Sequence, residues 1–157
     1  MRMRADGIDV DVPRGWDGEI YRQGGFALQG VRSEPDETDA PIMHLANFSL
    51  PASRGDWGSG AVEIMRSDNI LIALVEFGPE SVGKALFARS GIPRVQASDF
   101  APNQLQRTLP GQSGAQYFFN HGGRAFCLYV VLGSHARRNE LVTEVNAVLD
   151  TLVLDPW

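Results

Sequence analysis

The chain contains three histidines, the residue type that most often supplies a general base or a metal ligand near neutral pH. These are His44, His121 and His135, and no two of them have the spacing that places two ligands on one helical face. The sequence therefore predicts no metal site. We interpret His44 as a structural histidine with satisfied hydrogen bonds, and a polar site that uses His44 or His121 is the weaker alternative.

The potential nucleophiles lack the surroundings that would activate them. Cys127 lies in the apolar run 126–129, where a thiol packs as a small hydrophobic group with a raised pKa. No serine stands at the centre of a Gly-x-Ser-x-Gly turn, and the glycines form neither a Gly-x-Gly-x-x-Gly motif nor a phosphate-binding loop. We therefore predict that the protein is not an enzyme and that it binds no cofactor.

One loop contains residue types that are typical of protein contacts. Arg54, Asp56 and Trp57 lie in the segment 53–59, between glycines that leave the backbone accessible. Trp and Arg are over-represented among the residues that dominate binding energy at interfaces. These three residues are our candidate contact with a protein partner.

Composition limits the class of protein. The 157 residues are 43% hydrophobic and carry a net charge of −5, which suits a single globular domain over residues 1–157. The acidic excess lies in the first half, and no basic cluster extends beyond Arg137 and Arg138, so nucleic-acid binding is disfavoured. One cysteine and the lack of a long apolar run predict a cytoplasmic protein that does not enter the membrane.

Hydrophobic periodicity predicts the elements that position these residues. Apolar alternation predicts strands at 7–12, 42–50 and 104–109, and shorter extended segments are expected at 19–22 and 26–31. Runs that are apolar on both faces, 70–77 and 126–132, are typical of buried strands. The segments 33–39 and 53–59 are expected to be exposed loops.

The second half predicts a hairpin and a helix. Strands at 115–120 and 124–132 flank a turn with two glycines, and a helix is expected from 136 to 152. Its apolar stripe consists of Leu141, Val145, Val148, Leu149 and Leu152. Short helical turns are expected within 60–66 and 79–88, and irregular chain at 91–102. The fold class is therefore α+β, with an antiparallel sheet flanked by helices and a C-terminal amphipathic helix packed on the sheet.

This order of elements, with the segment Val-Pro-Arg-Gly-Trp at 12–16 after the first strand, resembles the PsbP-like α/β/α sandwich superfamily. Members of that superfamily mostly act by binding partners, so the resemblance implies a non-enzymatic module. A helix-grip fold of the START type is the alternative architecture, and it would imply an internal ligand cavity.

Two functions remain open at this point. The first is a non-catalytic module that binds a protein partner through its loops. The alternative is a carrier of a small molecule or lipid, with a cavity of roughly 300 Å³ or more between sheet and helix. An enzyme that uses His44 or His121 would need one of them to meet a carboxylate in a cleft.

Overall fold

The computed structural model describes residues 1–22 and 40–156. These residues form two antiparallel sheets and one α-helix, joined by short 3₁₀ turns. The strands are β1 (Arg2–Ala5), β2 (Ile8–Asp11), β3 (Asp17–Arg22), β4 (Pro41–Ala46), β5 (Ile70–Phe77), β6 (Ser113–His121), β7 (Arg124–Leu132) and β8 (Val153–Leu154), and the helix is α1 (Arg138–Leu149). The strand expected at 26–31 and the loop expected at 33–39 lie outside the described residues.

The strands form a small sheet of order β1-β2-β8 and a larger sheet of order β3-β4-β5-β7-β6. The α+β class and the antiparallel pairing are confirmed. The expectation of one sheet flanked by helices is wrong for the described residues, which contain two sheets and a single helix of more than one turn. Among these residues no helix has the length and apolarity needed to cross a membrane.

Two hairpins end in turns that need positive φ. Gly122 and Gly123 have φ of 58° and 82° and join β6 to β7, as predicted. Asp6 and Gly7, with φ of 52° and 75°, make the same kind of turn between β1 and β2. The β1 strand was not predicted, although Asp-Gly is a strong hairpin signal.

The two faces of the five-stranded sheet have different covers. We call the face covered by α1 and the small sheet the helix face. Its buried residues include Met43, Leu45, Ile70, Ile72, Leu74, Phe126, Leu128, Val130 and Leu132 of the sheet, Leu141, Val145, Val148 and Leu149 of α1, Leu152 just after the helix, and Ile8, Val10 and Leu154 of the small sheet. This cluster is the main hydrophobic core.

We call the opposite side of the same sheet the loop face. Its buried residues include Ala46, Leu71, Ala73, Tyr129 and Val131. Its cover is irregular chain, from which half-buried apolar side chains pack down on the sheet: Phe48, Leu50, Trp57, Met65, Leu105 and Leu109. The loop 53–59 therefore lies over this face.

Several predicted boundaries are wrong. The strand expected at 42–50 ends at Ala46, because the Asn47 side chain accepts a hydrogen bond from the Ile70 backbone at 2.7 Å and donates to the Asp68 carbonyl at 2.9 Å. The strand expected at 104–109 is a loop, and its alternating pattern arises because Leu105 and Leu109 pack on the loop face.

The helical segments are shorter than the sequence suggests. The turns expected within 60–66 and 79–88 are 3₁₀ helices at Val62–Ile64, Pro79–Ser81 and Ala85–Phe87. The long helix covers Arg138–Leu149 rather than 136–152. The residues after the helix turn back, and Val153–Leu154 pairs with β2 as strand β8. The helical periodicity did not predict this strand.

Candidate functional site

The candidate site begins with one row of residues across the loop face. Strand pairing places Glu19 opposite His44, His44 opposite Ala73, and Ala73 opposite Tyr129. Because paired residues in antiparallel strands share a face, these four side chains point to the same side of the sheet. The small, fully buried Ala73 lies between His44 and Tyr129 in this row.

The Arg54 side chain lies over the polar end of this row. Its Nε donates to His44 Nδ1 at 2.8 Å, one terminal nitrogen donates to the Pro51 carbonyl at 2.8 Å, and the other pairs with the Glu19 carboxylate. The side chain is only 5% exposed. Arg54 therefore uses its hydrogen bonds to hold the loop on the sheet.

These contacts fix the protonation state of His44. Because Nδ1 accepts from Arg54, the ring proton is on Nε2, which donates to the Asp56 carbonyl at 2.8 Å. Burial lowers the pKa of His44, and the Arg54 charge adds to the effect. His44 is thus a neutral, fully buried histidine with both nitrogens hydrogen-bonded.

The Asp56 carboxylate is held from the neighbouring strand. Tyr21 donates its hydroxyl proton to Asp56 Oδ1 at 2.8 Å, and its ring meets the His44 ring edge-on, with centroids 5.4 Å apart. Burial and the Asp56 hydrogen bond raise the pKa of Tyr21, which stays a donor. The loop is therefore bound to β3 and β4 through both Arg54 and Asp56.

Trp57 follows this anchor and packs against the sheet. Its ring meets Tyr129 edge-on, with centroids 5.8 Å apart and planes at 75°. The indole is half-buried and lines two cavities, a small one of about 60 Å³ shared with Tyr129 and a larger cleft of about 330 Å³. The Trp57 side chain thus packs on the sheet through Tyr129 and also lines both cavities.

The larger cleft has an apolar wall and an acidic edge. Trp57, Val75 and Phe77 provide the apolar side chains, and Asp56 and Glu80 bring carboxylates. The Glu80 carboxylate folds back over Gly78, where any side chain would collide with it. A third lining residue, Glu76, is engaged elsewhere, because its two carboxylate oxygens bind Arg124 at 2.6 and 3.0 Å.

The structure brings together four of the candidate residues, Arg54, Asp56, Trp57 and His44, and leaves His121 apart. Arg54, Asp56 and Trp57 are consecutive parts of one anchored loop, but the Arg54 side chain is enclosed, which leaves Asp56 and Trp57 at the cleft. His44 and His121 are three strands apart in the sheet and offset along it, roughly 20 Å from each other at ordinary strand spacing. They do not form a common site.

The third histidine has a hydroxyl partner. His135 Nδ1 is 2.8 Å from Ser113 Oγ, a pair that resembles half of a nucleophilic dyad. Ser113 is fully buried, so no substrate can reach its hydroxyl in this structure. We interpret the pair as a tie between β6 and the segment before α1. No group of three or more metal-ligating side chains occurs within residues 1–22 and 40–156.

Sequence reasoning did not identify the partners of the candidate loop. Glu19 and Tyr21 were recognised only as part of an extended segment, although their spacing of two places them on one face. Tyr129 was assigned to a buried strand without a role. Which strand lies next to which decides these contacts, and the sequence does not specify it.

Comparison with protein-family models, with curated proteins and with solved structures gives no match for this chain.

Proposed function

We propose that the protein is a non-catalytic module that binds a protein partner at the cleft beside Trp57, and that the partner contributes a basic side chain next to an apolar one. The observation that carries the proposal is the cleft of about 330 Å³, with Trp57 and Phe77 on one side and the Asp56 and Glu80 carboxylates at its edge. A Lys or Arg side chain matches that charge, and its neighbour can pack on the indole.

The anchoring of the loop supports this proposal. Arg54 and His44 hold the backbone at Asp56 against the sheet, so the Trp57 side chain is presented from an ordered loop. Ordering before binding reduces the entropic cost of association. The order of elements and the segment 12–16 also support the proposed resemblance to the PsbP-like superfamily, whose members mostly act by binding partners.

The carrier alternative requires a cavity between sheet and helix. The helix-face side chains of both elements are buried in one continuous cluster. The cleft of about 330 Å³ at Trp57 has no lining residue from α1. The cleft of about 300 Å³ beside Trp16 lies between α1 and the end of β2, but its lining includes the exposed residues Asp11, Glu144 and Ala147, so it is a surface groove. The geometry therefore favours a partner-binding surface over an internal carrier site.

The test uses two synthetic peptides of opposite charge, acetyl-Lys-Leu-Lys-Leu-amide and acetyl-Glu-Leu-Glu-Leu-amide, titrated against the Trp57 indole NH signal. We expect the basic peptide to bind at least tenfold more tightly, a difference of about 1.4 kcal/mol, and the preference to weaken with salt. Equal binding of both peptides would remove the charge argument.

Two variants locate the contact. Trp57→Ala should weaken binding of the basic peptide more than tenfold, as followed through the Glu80 backbone amide signal. Trp16→Ala, at another half-buried tryptophan, should leave the affinity for this peptide unchanged. Glu80→Gln should reduce affinity, and Glu140→Gln on the exposed side of α1 is its matched control. Thermal melts of each variant show whether a loss of binding follows from a loss of folding.

A further inference from the structure

The surface groove beside Trp16 lies between the second half of α1 and the end of β2. Its volume is about 300 Å³, and its lining residues are Asp11, Pro13 and Trp16 on one side and Glu144, Ala147, Val148 and Thr151 on the other. The four residues of the second set recur at i, i+3, i+4 and i+7, the spacing that places side chains on one face of a helix. The groove therefore has one wall from the helix and one from β2 and the turn after it.

The segment Val-Pro-Arg-Gly-Trp at 12–16 builds the second wall. The Trp16 backbone NH donates to the Pro13 carbonyl at 3.0 Å, which closes a four-residue turn. Gly15 has a φ of 84° at the third position of this turn, where a positive φ favours glycine. The turn places the Trp16 side chain against the helix-face cluster, where it is half-buried. The indole, Pro13 and Val148 give the groove its apolar surface.

The charged side chains of the groove are all acidic. Asp11 and Glu144 bring carboxylates from the two walls, both are exposed, and none of the described lining residues is basic. Asp11 pairs with the Met1 amino group at 3.1 Å, but this pair is exposed on both sides and contributes little. The Thr151 hydroxyl is already engaged, because it accepts from the Asp11 backbone NH and donates to the Val148 carbonyl. The groove therefore combines an apolar surface with accessible negative charge.

We propose that this groove binds a basic side chain of a polypeptide partner, with its aliphatic part on the Trp16 indole and its charged end toward the Asp11 and Glu144 carboxylates. Lys and Arg cover apolar surface with their stems while the charge stays in water, and a cation beside an indole gains a further attraction. A neutral side chain of equal length gains only the apolar contact, and an acidic one is repelled.

The open shape of the groove favours a polypeptide over a small molecule as the occupant. Sites for small molecules enclose most of the ligand's surface, whereas this groove runs along the exposed residues Glu144 and Ala147 of α1. A polypeptide can place one side chain in such a groove and pack its neighbours on the surface around it.

The inference is independent of the proposal for the cleft at Trp57, because no residue lines both. The probe is acetyl-Leu-Lys-amide, followed through the NMR signals of the Trp16 indole NH and the Ala147 methyl group. We expect saturable binding about fivefold tighter than that of acetyl-Leu-norleucine-amide, which lacks only the ammonium group, and a preference that shrinks with salt. Acetyl-Leu-Glu-amide should bind more weakly than either. Equal affinities for the first two peptides, or no saturable shift, would overturn the proposal.

Two exposed positions of α1 provide a matched pair of variants. Ala147→Leu fills the groove without removing a charge and should abolish binding, whereas Thr143→Leu, one turn earlier and outside the groove, should leave it unchanged. Both changes add the same side chain to the exposed side of the helix, so neither should prevent folding. Glu144→Gln should remove most of the preference for the lysine peptide, and Glu140→Gln is its control. Loss of binding in both leucine variants, or in neither, contradicts the site.

Two further measurements test the occupant and separate the two proposals. n-Butylamine carries the stem and the charge without a peptide, and we expect it to bind more weakly than acetyl-Leu-Lys-amide; equal affinity would overturn the assignment to a polypeptide. Trp16→Ala should abolish binding in the groove and Trp57→Ala should not, which is the reverse of the effects expected at the cleft. If Trp16→Ala does not fold, the Ala147 and Thr143 variants still decide the question. Each proposal can therefore fail while the other stands.

Discussion

Both faces of the five-stranded sheet bury apolar side chains, but different parts of the chain cover the two faces. The helix face is covered mainly by α1 and the small sheet, whose backbone groups bond within regular elements. The irregular segment around Val95 covers another part of it and is held by two hydrogen bonds to the Asn146 side chain of α1. The loop face is covered by irregular chain whose backbone groups are tied down by side chains such as those of Arg54, Gln112 and Tyr129. The cover of the loop face therefore depends more on individual hydrogen bonds between side chains and backbone.

This difference indicates that the two faces have different roles. The helix face provides most of the stability through a continuous apolar cluster. The loop face has both cavities that Trp57 borders, and loops on a rigid sheet are the common location of recognition. The comparison predicts large effects on folding from changes at the helix face and smaller, local effects from changes at the loop face.

The largest effect is expected at a buried ion pair on the helix face. Arg124 binds Glu76 with two hydrogen bonds and also donates to the carbonyls of Asp6, Gly7 and Asp155, so it joins the larger sheet to the small one. Arg124→Met removes all of these bonds and should lower the free energy of unfolding by about 3–5 kcal/mol.

Denaturant titration measures this loss. The matched control is Arg107→Met, which breaks the exposed pair with Glu63 and should cost less than about 1 kcal/mol. Equal costs for the two variants would mean that the connection between the sheets contributes nothing to stability.

The next effect concerns packing of α1. Leu149→Ala removes a side chain that is 5% exposed in the helix-face cluster, and we expect a loss of about 2–5 kcal/mol because the neighbours cannot refill the space. Leu105→Ala on the loop face should cost less, since Leu105 is only partly buried. Urea melts of both variants test the ranking, and a larger loss for Leu105 would break the comparison.

The sequence predicts the elements of the helix face more completely than the contacts of the loop face. Runs that are apolar on both sides located β5 and β7, two glycines located the hairpin of β6 and β7, and the helical stripe located α1, because each signal is local. The ties of the loop face join residues far apart in the chain, such as Glu19 with Arg54 and Gln106 with Tyr129. No periodicity encodes these contacts, so the candidate loop was found and its anchors were not.

A Cys127 variant and thiol labelling test whether water is excluded from the sheet beneath the loop face as it is from the main hydrophobic core. It is fully buried, and burial raises the pKa of its thiol to about 12. Cys127→Ser should lower the free energy of unfolding by about 1–3 kcal/mol, because a hydroxyl replaces a weakly polar thiol. The native protein should also react with a thiol reagent only as fast as it opens. Rapid, complete labelling would show that the loop face admits solvent down to the sheet.

The smallest effect is a pH dependence confined to the loop anchor. Because burial lowers the pKa of His44 in the folded state, the unfolded chain binds a proton at this residue at higher pH than the folded protein does. Stability should therefore fall as the pH drops below about 6.5, the ordinary pKa of histidine, and should show no His44 contribution above it.

The difference between wild type and His44→Gln isolates this contribution, since the glutamine amide can still donate to the Asp56 carbonyl but does not titrate. We expect wild type to lose stability relative to His44→Gln between pH 7 and pH 5. His121→Gln, in the hairpin turn, should keep the wild-type difference. Protonation puts a proton on Nδ1, where Arg54 already points an N–H, so backbone amides at 54–58 should exchange faster at pH 5 while those of β5 and β7 do not. Parallel profiles for wild type and His44→Gln would mean that the histidine does not hold the loop, and the ordered presentation of Trp57 would then need another cause.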